Sequence, residues 1–553
     1  MYYYDKYSDN INDTDVAVGI LKKHDGNYMV NNVEVKNNRG IINDVVYIKD
    51  NRVINIKDRS VQKIAGILYM NKNEKYGKNS KNMMYYKFRA LNGDFMDFLV
   101  PCSKKCKLKM YMVISFNKWE IDSKYPIGKC EHIVGELGKR ENEYEILLYK
   151  YDLRYPKLKI KKENINNDLL SCENLDIDYN IFTIDPGGCR DIDDGIHIER
   201  TDKYVEIGVH ITDVSYYMEK YVYDMMNNLT SSVYYDNKQI NMVPEIYATN
   251  ICSLLENNIR KCISVIYRYN DWKLIDYEVR LSNVYVLKNW DYDDVDNIIE
   301  GGGETYLKEL CDFMEIMEND KLDSHKMIEI LMIRTNKLIG ELLYNYDKKN
   351  TILRIHKELK YKEIDDIEDK ELTDFLRLKQ TNSAIYDKDV DNPYHSGLNV
   401  NYYTHYTSPI RRIIDIINHI NIKRYLLNRD LMWIDMKDIE HINKVNRRIK
   451  KMERDNRLLD LFYKIDCDKY RTSGYIIDFN VKMIKIYMKD IGLEYKKRIY
   501  DNKLDELCDV EIDDDILIIN GEKKYKKYDV VNVMMYFIRD EDKLDNKVKL
   551  EIV

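Results

Sequence analysis

Four aspartates, Asp185, Asp191, Asp193 and Asp194, fall within ten residues, directly behind the apolar run Ile181-Phe-Thr-Ile184. Pro186, Gly187 and Gly188 force a turn between the first aspartate and the other three. Such a cluster is self-repelling unless something neutralises it. A solvated acidic turn is the plain reading. Hard divalent cations are the alternative, because Mg²⁺ takes oxygen ligands and bridges carboxylates to phosphate. Two such ions clamp a phosphodiester for in-line attack. An EF-hand loop does not fit: counted from Asp191, Gly195 comes one place early and Asp202 stands where the bidentate Glu belongs. An Asp-x-Asp phosphatase nucleophile does not fit either, since Cys189 and Arg190 precede Asp191 in place of a strand.

The segment Ile-Asp-Pro-Gly-Gly-Cys-Arg-Asp-Ile-Asp-Asp at 184–194 resembles the catalytic signature of the ribonuclease II/ribonuclease R (RNB) exoribonucleases. Its form is nearest the eukaryotic branch that includes the exosome's catalytic subunit. The resemblance implies a Mg²⁺-dependent 3′→5′ exoribonuclease, with Mn²⁺ as the alternative ion, that hydrolyses single-stranded RNA to nucleoside 5′-monophosphates. Asp185, Asp191, Asp193 and Asp194 are then expected to hold two metal ions. Two rival readings stand beside it: an inactive homologue serving as an RNA-binding scaffold, and a nuclease directed at DNA.

Other motifs extend the resemblance. Residues 204–214 resemble the family's Gly-Val-His-Ile-x-Asp-Val strand, where His210 is read as structural because imidazole suits Mg²⁺ poorly. Residues 231–245 resemble the segment whose aromatic stacks on the 3′-terminal base, which places Tyr234 in that role. Tyr292 matches a further active-site tyrosine. Glu329 matches the first of two adjacent glutamates near the substrate ribose, although Ile330 replaces the second. Arg354-Ile-His356 resembles an Arg-x-His-Pro motif but lacks the proline. His419 is followed by Ile420 where the family commonly has Arg.

In Ser408-Pro-Ile-Arg-Arg412, Ser408 reads as an N-cap with Pro409 at the first helical position. Arg411 and Arg412 then fall where the helix dipole disfavours cations, which points to a phosphate at the helix end. Asp415 and Asn418, at i+4 and i+7, are expected to orient Arg411. The resemblance makes Arg411 the arginine that meets transition-state charge, with Arg412 beside it on the RNA.

The chain has 553 residues and a net charge of −7, unusual for a protein that grips nucleic acid. Its distribution matters more. Residues 61–162 hold 22 Lys and Arg against 11 Asp and Glu, so the rest is strongly acidic. A basic arm that tracks phosphates fits this pattern. Tyr85, Tyr86, Phe88, Phe95 and Phe98 lie amid the basic residues, most of them expected in a core and the remainder available for stacking. Ten scattered cysteines without paired spacing argue against a disulfide or zinc framework.

Short β runs at 16–21, 27–30, 33–35 and 44–48 suggest a small barrel, and 61–101 begins a second. The expected fold is multidomain α+β: a first cold-shock (OB-type) domain at 1–60, a second with its exit segment at 61–167, a mixed α/β RNB catalytic domain at 168–460 and a C-terminal OB-type RNA-binding domain at 461–553. No stretch is apolar enough to span a membrane, and the N-terminus lacks a signal-peptide pattern. A monomer in the cytoplasm, rather than the nucleus, is expected. About fifteen residues before Val16 leave no room for the PIN-type endonuclease domain of the exosome subunit. Partnership with the exosome core is therefore not expected, nor is endonuclease activity.

Overall fold

The computed structural model describes residues 16–553 except 25, 38, 61, 71–75, 104–108, 121–122, 156–174, 357–368, 381–382, 466–468, 500–509, 514–515, 520, 522, 539–540 and 543. The exit segment of the second barrel, expected up to residue 167, lies partly outside the described residues. The chain forms two compact units, one from residues 1–154 with 451–553 and the other from 155–450.

In the first unit, short strands alternate around Leu21, Val30, Val46 and Val53. Ala17–Ile20, Val45–Lys49 and Arg52–Asp58 form one antiparallel sheet, and Lys22–His24, Asn27–Val30 and Val33–Glu34 form another. Asn31 and Asn32, and then Asp50 and Asn51, take positive φ between paired strands. Asn and Asp tolerate this left-handed geometry, which two-residue hairpins need. The asparagine-rich composition thus does structural work as turn chemistry.

Ile64–Tyr69, Met84–Ala90, Phe98–Cys102, Met110–Lys118 and Ile127–Glu136 close a five-stranded barrel, and the helix Arg140–Lys150 follows. Phe88 and Phe98 are fully buried and meet edge to face at its centre, as core rings rather than stacking platforms. The C-terminal stretch places Lys469–Asn480 between Met483–Met488 and Val530–Phe537 in a five-stranded antiparallel sheet, with a separate three-stranded sheet. Lys547 of this stretch and Glu143 of the helix Arg140–Lys150 are buried together, 2.8 Å apart. Tyr111 Oη and the Gly138 N–H also donate to Glu143.

The second unit is built on a closed barrel of Leu175–Asp185, Asp194–Arg200, Val205–Thr212, Asn258–Asn270 and Lys273–Asp291. Val205–Thr212 is buried along its whole length, so its β-branched residues fill the interior from both faces. His210 lies there fully buried, bonded to His197 and to Ser264 Oγ at 2.7 Å each, as a structural histidine. The first strand closes the barrel by running parallel to the last, with Asp185 opposite Asp291. Both strands therefore end together, and the aspartate loop leaves the barrel at that rim. Against the barrel packs the helix Ser324–Tyr346, while Ile413–Leu426 anchors a second apolar core. Among the described residues no helix is long and apolar enough to cross a membrane.

Candidate active site

Gly188, at φ +80°, makes the turn that returns the chain from Asp185 to Asp191. Asp194 then opens the next strand, so the barrel rim fixes both ends of the loop. Burial holds the carboxyls of Asp185 and Asp194 above the ordinary carboxylate range, and the Asp194 charge adds to the effect on Asp185. The Oδ2 atom of Asp185 is buried without a hydrogen-bond partner. An acceptor oxygen left bare beside a second acid is a position that a cation would satisfy.

Asp191 and Asp193 have other partners. Asp191 Oδ2 accepts from Tyr234 Oη at 3.1 Å and from Gln239 Nε2 at 2.7 Å. Asp193, nearly fully buried, accepts the Ile410 N–H at 2.9 Å and lies 3.6 Å from Arg411 Nε. Burial raises its carboxyl well above the usual range, opposed by the Arg411 charge. Asp193 thereby docks the Ser-Pro-Ile-Arg turn onto the aspartate loop, 217 residues away in sequence.

The helix expected to start at Ser408 starts instead at Ile413, with an extended Arg412 at its N-cap. The physical reason lies in the backbone donors. The Ser408 N–H is taken by Asp415 and the Ile410 N–H by Asp193, so 408–411 form a turn and offer no helix end to a phosphate. The orientation of Arg411 differs as well. Asp415 pairs with Arg412, at 2.8 Å, and Arg411 is held by Ser408 Oγ at 2.9 Å and by Asp193. Arg411 remains half-exposed beside the carboxylates, whereas Arg412 is mostly buried.

Tyr234, 42% exposed as a residue, stands on the hairpin Val233–Tyr235/Lys238–Ile240 with its hydroxyl turned in to Asp191. Burial of that hydroxyl and the Asp191 charge both raise its pKa. Gln239 sits directly across the hairpin from Tyr234 and was not expected. Its signal lies in Asp236-Asn237, both at positive φ, the two-residue turn that sets this register. Tyr292 opens the helix Tyr292–Gly301 and stacks on His325 with centroids 3.6 Å apart. Burial, then the charges of Asp194 and Asp185, push its hydroxyl up to about 12, which puts it within electrostatic reach of the cluster. Glu329 lies one turn beyond His325 on Ser324–Tyr346, exposed and paired with Lys326 at 2.7 Å.

Among the described residues no group of three His, Cys, Asp or Glu side chains is arranged to hold a metal ion. Asp185 and Asp194 nonetheless fit Mg²⁺, which commonly takes one or two carboxylates and completes its shell with water and substrate phosphate.

A barrel whose rim carries this aspartate loop against an arginine turn belongs to a recognisable class. The family profile for the RNB domain matches residues 175–312 and 307–428, and that for the Dis3-like cold-shock domain 2 (CSD2) matches residues 102–152. Residues 175–428 thus carry an RNB domain. The chain is 26% identical over 399 residues to the probable exosome complex exonuclease RRP44 of Caenorhabditis elegans, covering 56% of this chain and 41% of that protein. With ribonuclease R of Chlamydia pneumoniae it shares 28% over 310 residues, 43% of this chain and 45% of that one. It thus spans less than half the length of these curated relatives. In fold it is similar to Mycoplasma genitalium RNase R in complex with ribose-methylated single-stranded RNA, with a TM-score of 0.75 at 16% identity over 97% of this chain and all of that one. It is similar also to yeast Ssd1, a pseudonuclease, with a TM-score of 0.67 at 13% identity over 98% of this chain and 96% of that one.

Proposed function

We propose that this chain is a metal-dependent 3′→5′ exoribonuclease acting on single-stranded RNA and releasing nucleoside 5′-monophosphates. The observation that carries the reading is the juxtaposition of the half-buried carboxylates of Asp185, with its unpartnered Oδ2, and Asp194 with the Asp193–Arg411 contact. Mg²⁺, or Mn²⁺ in its place, held by Asp185 and Asp194 would supply charge neutralisation and an activated water. Asp193 holds the arginine turn in place through the Ile410 N–H. Arg411, half-exposed, is free to swing from Asp193 to a phosphate oxygen as negative charge grows there. The Tyr234 ring offers a face to the terminal base while Asp191 fixes its hydroxyl. Stacking of this kind accepts any base, as a degradative enzyme requires. Arg412, Tyr292 and Glu329 are proposed as supporting RNA contacts.

The rival reading is an inactive RNA-binding homologue, a fate that the name of the Ssd1 neighbour illustrates. The presence of all four aspartates and Arg411 supports the enzyme. A time course on 5′-labelled single-stranded RNA with Mg²⁺ or with EDTA separates the two. Progressive shortening from the 3′ end that EDTA stops supports the enzyme; RNA that is bound and stays intact with Mg²⁺ or Mn²⁺ supports the scaffold.

A further inference from the structure

Met432 and Ile434 are buried in the second apolar core of the 155–450 unit, and Trp433 between them is 60% exposed. This is the alternation of an extended segment with one face buried, and the outward place is one that a polar side chain ordinarily takes. Two short helices repeat the pattern. Val214 and Met218 of Val214–Met218 enter the same core while Tyr216 is turned out. Val222, Met225 and Met226 of Val222–Met226 enter it while Tyr223 is turned out. Three segments are thus anchored by their buried neighbours, and each presents a large ring to water.

These rings face one space. Tyr216, Tyr223 and Trp433 line a cleft of about 720 Å³, with Met432, Lys220 and Arg424 among the other lining residues. Clefts that take ligands span about 300–1,000 Å³. Tyr223 Oη donates to the Trp433 carbonyl at 3.4 Å, which ties two of the walls together.

The charge beside the rings is mostly positive. Lys388 Nζ lies 3.7 Å from the centroid of the Trp433 ring and donates to the Ile434 carbonyl at 2.6 Å, which fixes it there. Lys261 Nζ lies 4.9 Å from the centroid of the Tyr216 ring. Lys220 and Arg424 line the cleft itself, and Glu219 is the acid among the lining residues, 3.5 Å from Arg424 Nη2. Flat aromatic faces beside cations are the combination that binds single-stranded nucleic acid, with bases on the rings and phosphates on the cations. An acidic peptide would meet the cations but brings few planar groups to cover three rings. The cleft is separate from the aspartate cluster. Arg424 sits in the last turn of Ile413–Leu426 and Arg411 precedes its first, so about 17 Å of helix lies between them.

We propose that the cleft of Tyr216, Tyr223 and Trp433, with Lys220 and Arg424, is a second binding site for single-stranded RNA, remote from the phosphate under attack. The choice of RNA rests on the proposed function; the cleft and its chemistry do not.

The test uses the full chain in EDTA, so that no hydrolysis intervenes, and a labelled oligouridylate long enough to span the helix Ile413–Leu426. Affinity is measured at several salt concentrations for the parent, Trp433→Leu, Trp433→Phe and Lys220→Gln. Trp433→Leu keeps apolar bulk without a flat ring and should weaken binding by about 5- to 150-fold, the worth of one base stack. Trp433→Phe keeps a ring and should keep most of the affinity. Lys220→Gln should make the slope of log affinity against log salt shallower by about 0.7. Photocrosslinking of the same strand carrying thiouridine should label parent peptides that contain Tyr216, Tyr223 or Trp433.

Trp433→Leu binding RNA as the parent does overturns the inference and leaves the rings to a protein partner. Equal losses in Trp433→Leu and Trp433→Phe overturn it too, as does an unchanged slope in Lys220→Gln. Should Trp433→Leu not fold, the crosslinks decide: label on those peptides sustains the site, and label only elsewhere overturns it. The proposed function fails separately. A parent that shortens RNA in Mg²⁺ while the cleft variants bind as it does overturns the cleft alone. A parent that never shortens RNA, with cleft variants that bind it weakly, overturns the exonuclease alone. A parent that binds no RNA overturns both.

Discussion

Tyr234 illustrates how one side chain divides its work. Its hydroxyl serves Asp191, and its part-exposed ring is the face proposed for a base. One aromatic–base stack contributes roughly 1–3 kcal/mol, a change of one to two decades in dissociation rate. This matters little while other contacts hold a long substrate and most when the strand is short. Tyr234→Ala should therefore show near-normal early turnover but leave a longer residual oligonucleotide, and Tyr234→Phe should leave the parent's product. A denaturing gel reads both lengths, and an unchanged product from Tyr234→Ala would make Tyr234 a structural tyrosine. The resemblance of residues 231–245 to a family segment proposed this residue, and its hydroxyl contact with Asp191 is consistent with that proposal. The sequence did not point to Gln239, whose role depends on hairpin register, or to the Ile410 N–H, whose partner is 217 residues away. The helix start at Ser408 was misread for a related reason. Local capping preference was overridden by one distant carboxylate, Asp193, which took the Ile410 N–H that a Ser408 cap would use, while Asp415 seven residues on took the Ser408 N–H.

At the scale of elements, strands were legible where alternation and turn residues agree. The expected run at 204–214 is the strand Val205–Thr212, and 27–30 is Asn27–Val30. Which element touches which was not legible. Gly340, inside Ser324–Tyr346, is an example: a Cβ built there would lie 1.8 Å from the Tyr402 carbonyl oxygen. Backbone on both sides cannot yield cheaply. Gly340→Ala should therefore destabilise the chain by at least about 1–3 kcal/mol despite its better helix propensity. Urea unfolding at or above the parent midpoint would refute the close approach.

The buried histidines of the second unit give this region a pH dependence. Burial lowers His197, His210, His405 and His419, and takes His395 down to about 4. Depressed folded-state values mean that the unfolded chain binds more protons as pH falls. The stability these residues contribute is complete above the ordinary histidine value of about 6.5 and declines below it. The raised carboxyls of Asp185, Asp193 and Asp194 take up protons in the folded chain over the same range and act in the opposite sense. The measurement is therefore made with all three changed to Asn, where the urea midpoint should fall between about pH 7.5 and pH 5.5. A flat or rising midpoint across that window would contradict it.

The whole molecule depends on contacts that no local pattern foretells. Lys547 and Glu143 are separated by most of the chain, yet each is almost wholly buried against the other. Lys547 also lies over the Phe462 ring at 5.1 Å. Removing one partner of a buried ion pair strands the other charge, at a cost of about 3–5 kcal/mol. Lys547→Met should lower the stability of the unit formed by 1–154 and 451–553 by that amount. Adding Glu143→Gln should restore part of it, because the stranded charge is gone. A melting profile for Lys547→Met within 1 kcal/mol of the parent would show that the pair does not hold the helix Arg140–Lys150 to the C-terminal stretch.

Asp193→Asn offers the most direct measurement of the central claim, with RNA affinity and RNA hydrolysis read side by side on the same preparation. The amide keeps an oxygen for the Ile410 N–H and loses the charge that faces Arg411. The account predicts affinity within a few-fold of the parent and a hydrolysis rate lower by at least about a hundredfold, the scale of a lost transition-state contact. Hydrolysis near the parent rate would contradict it.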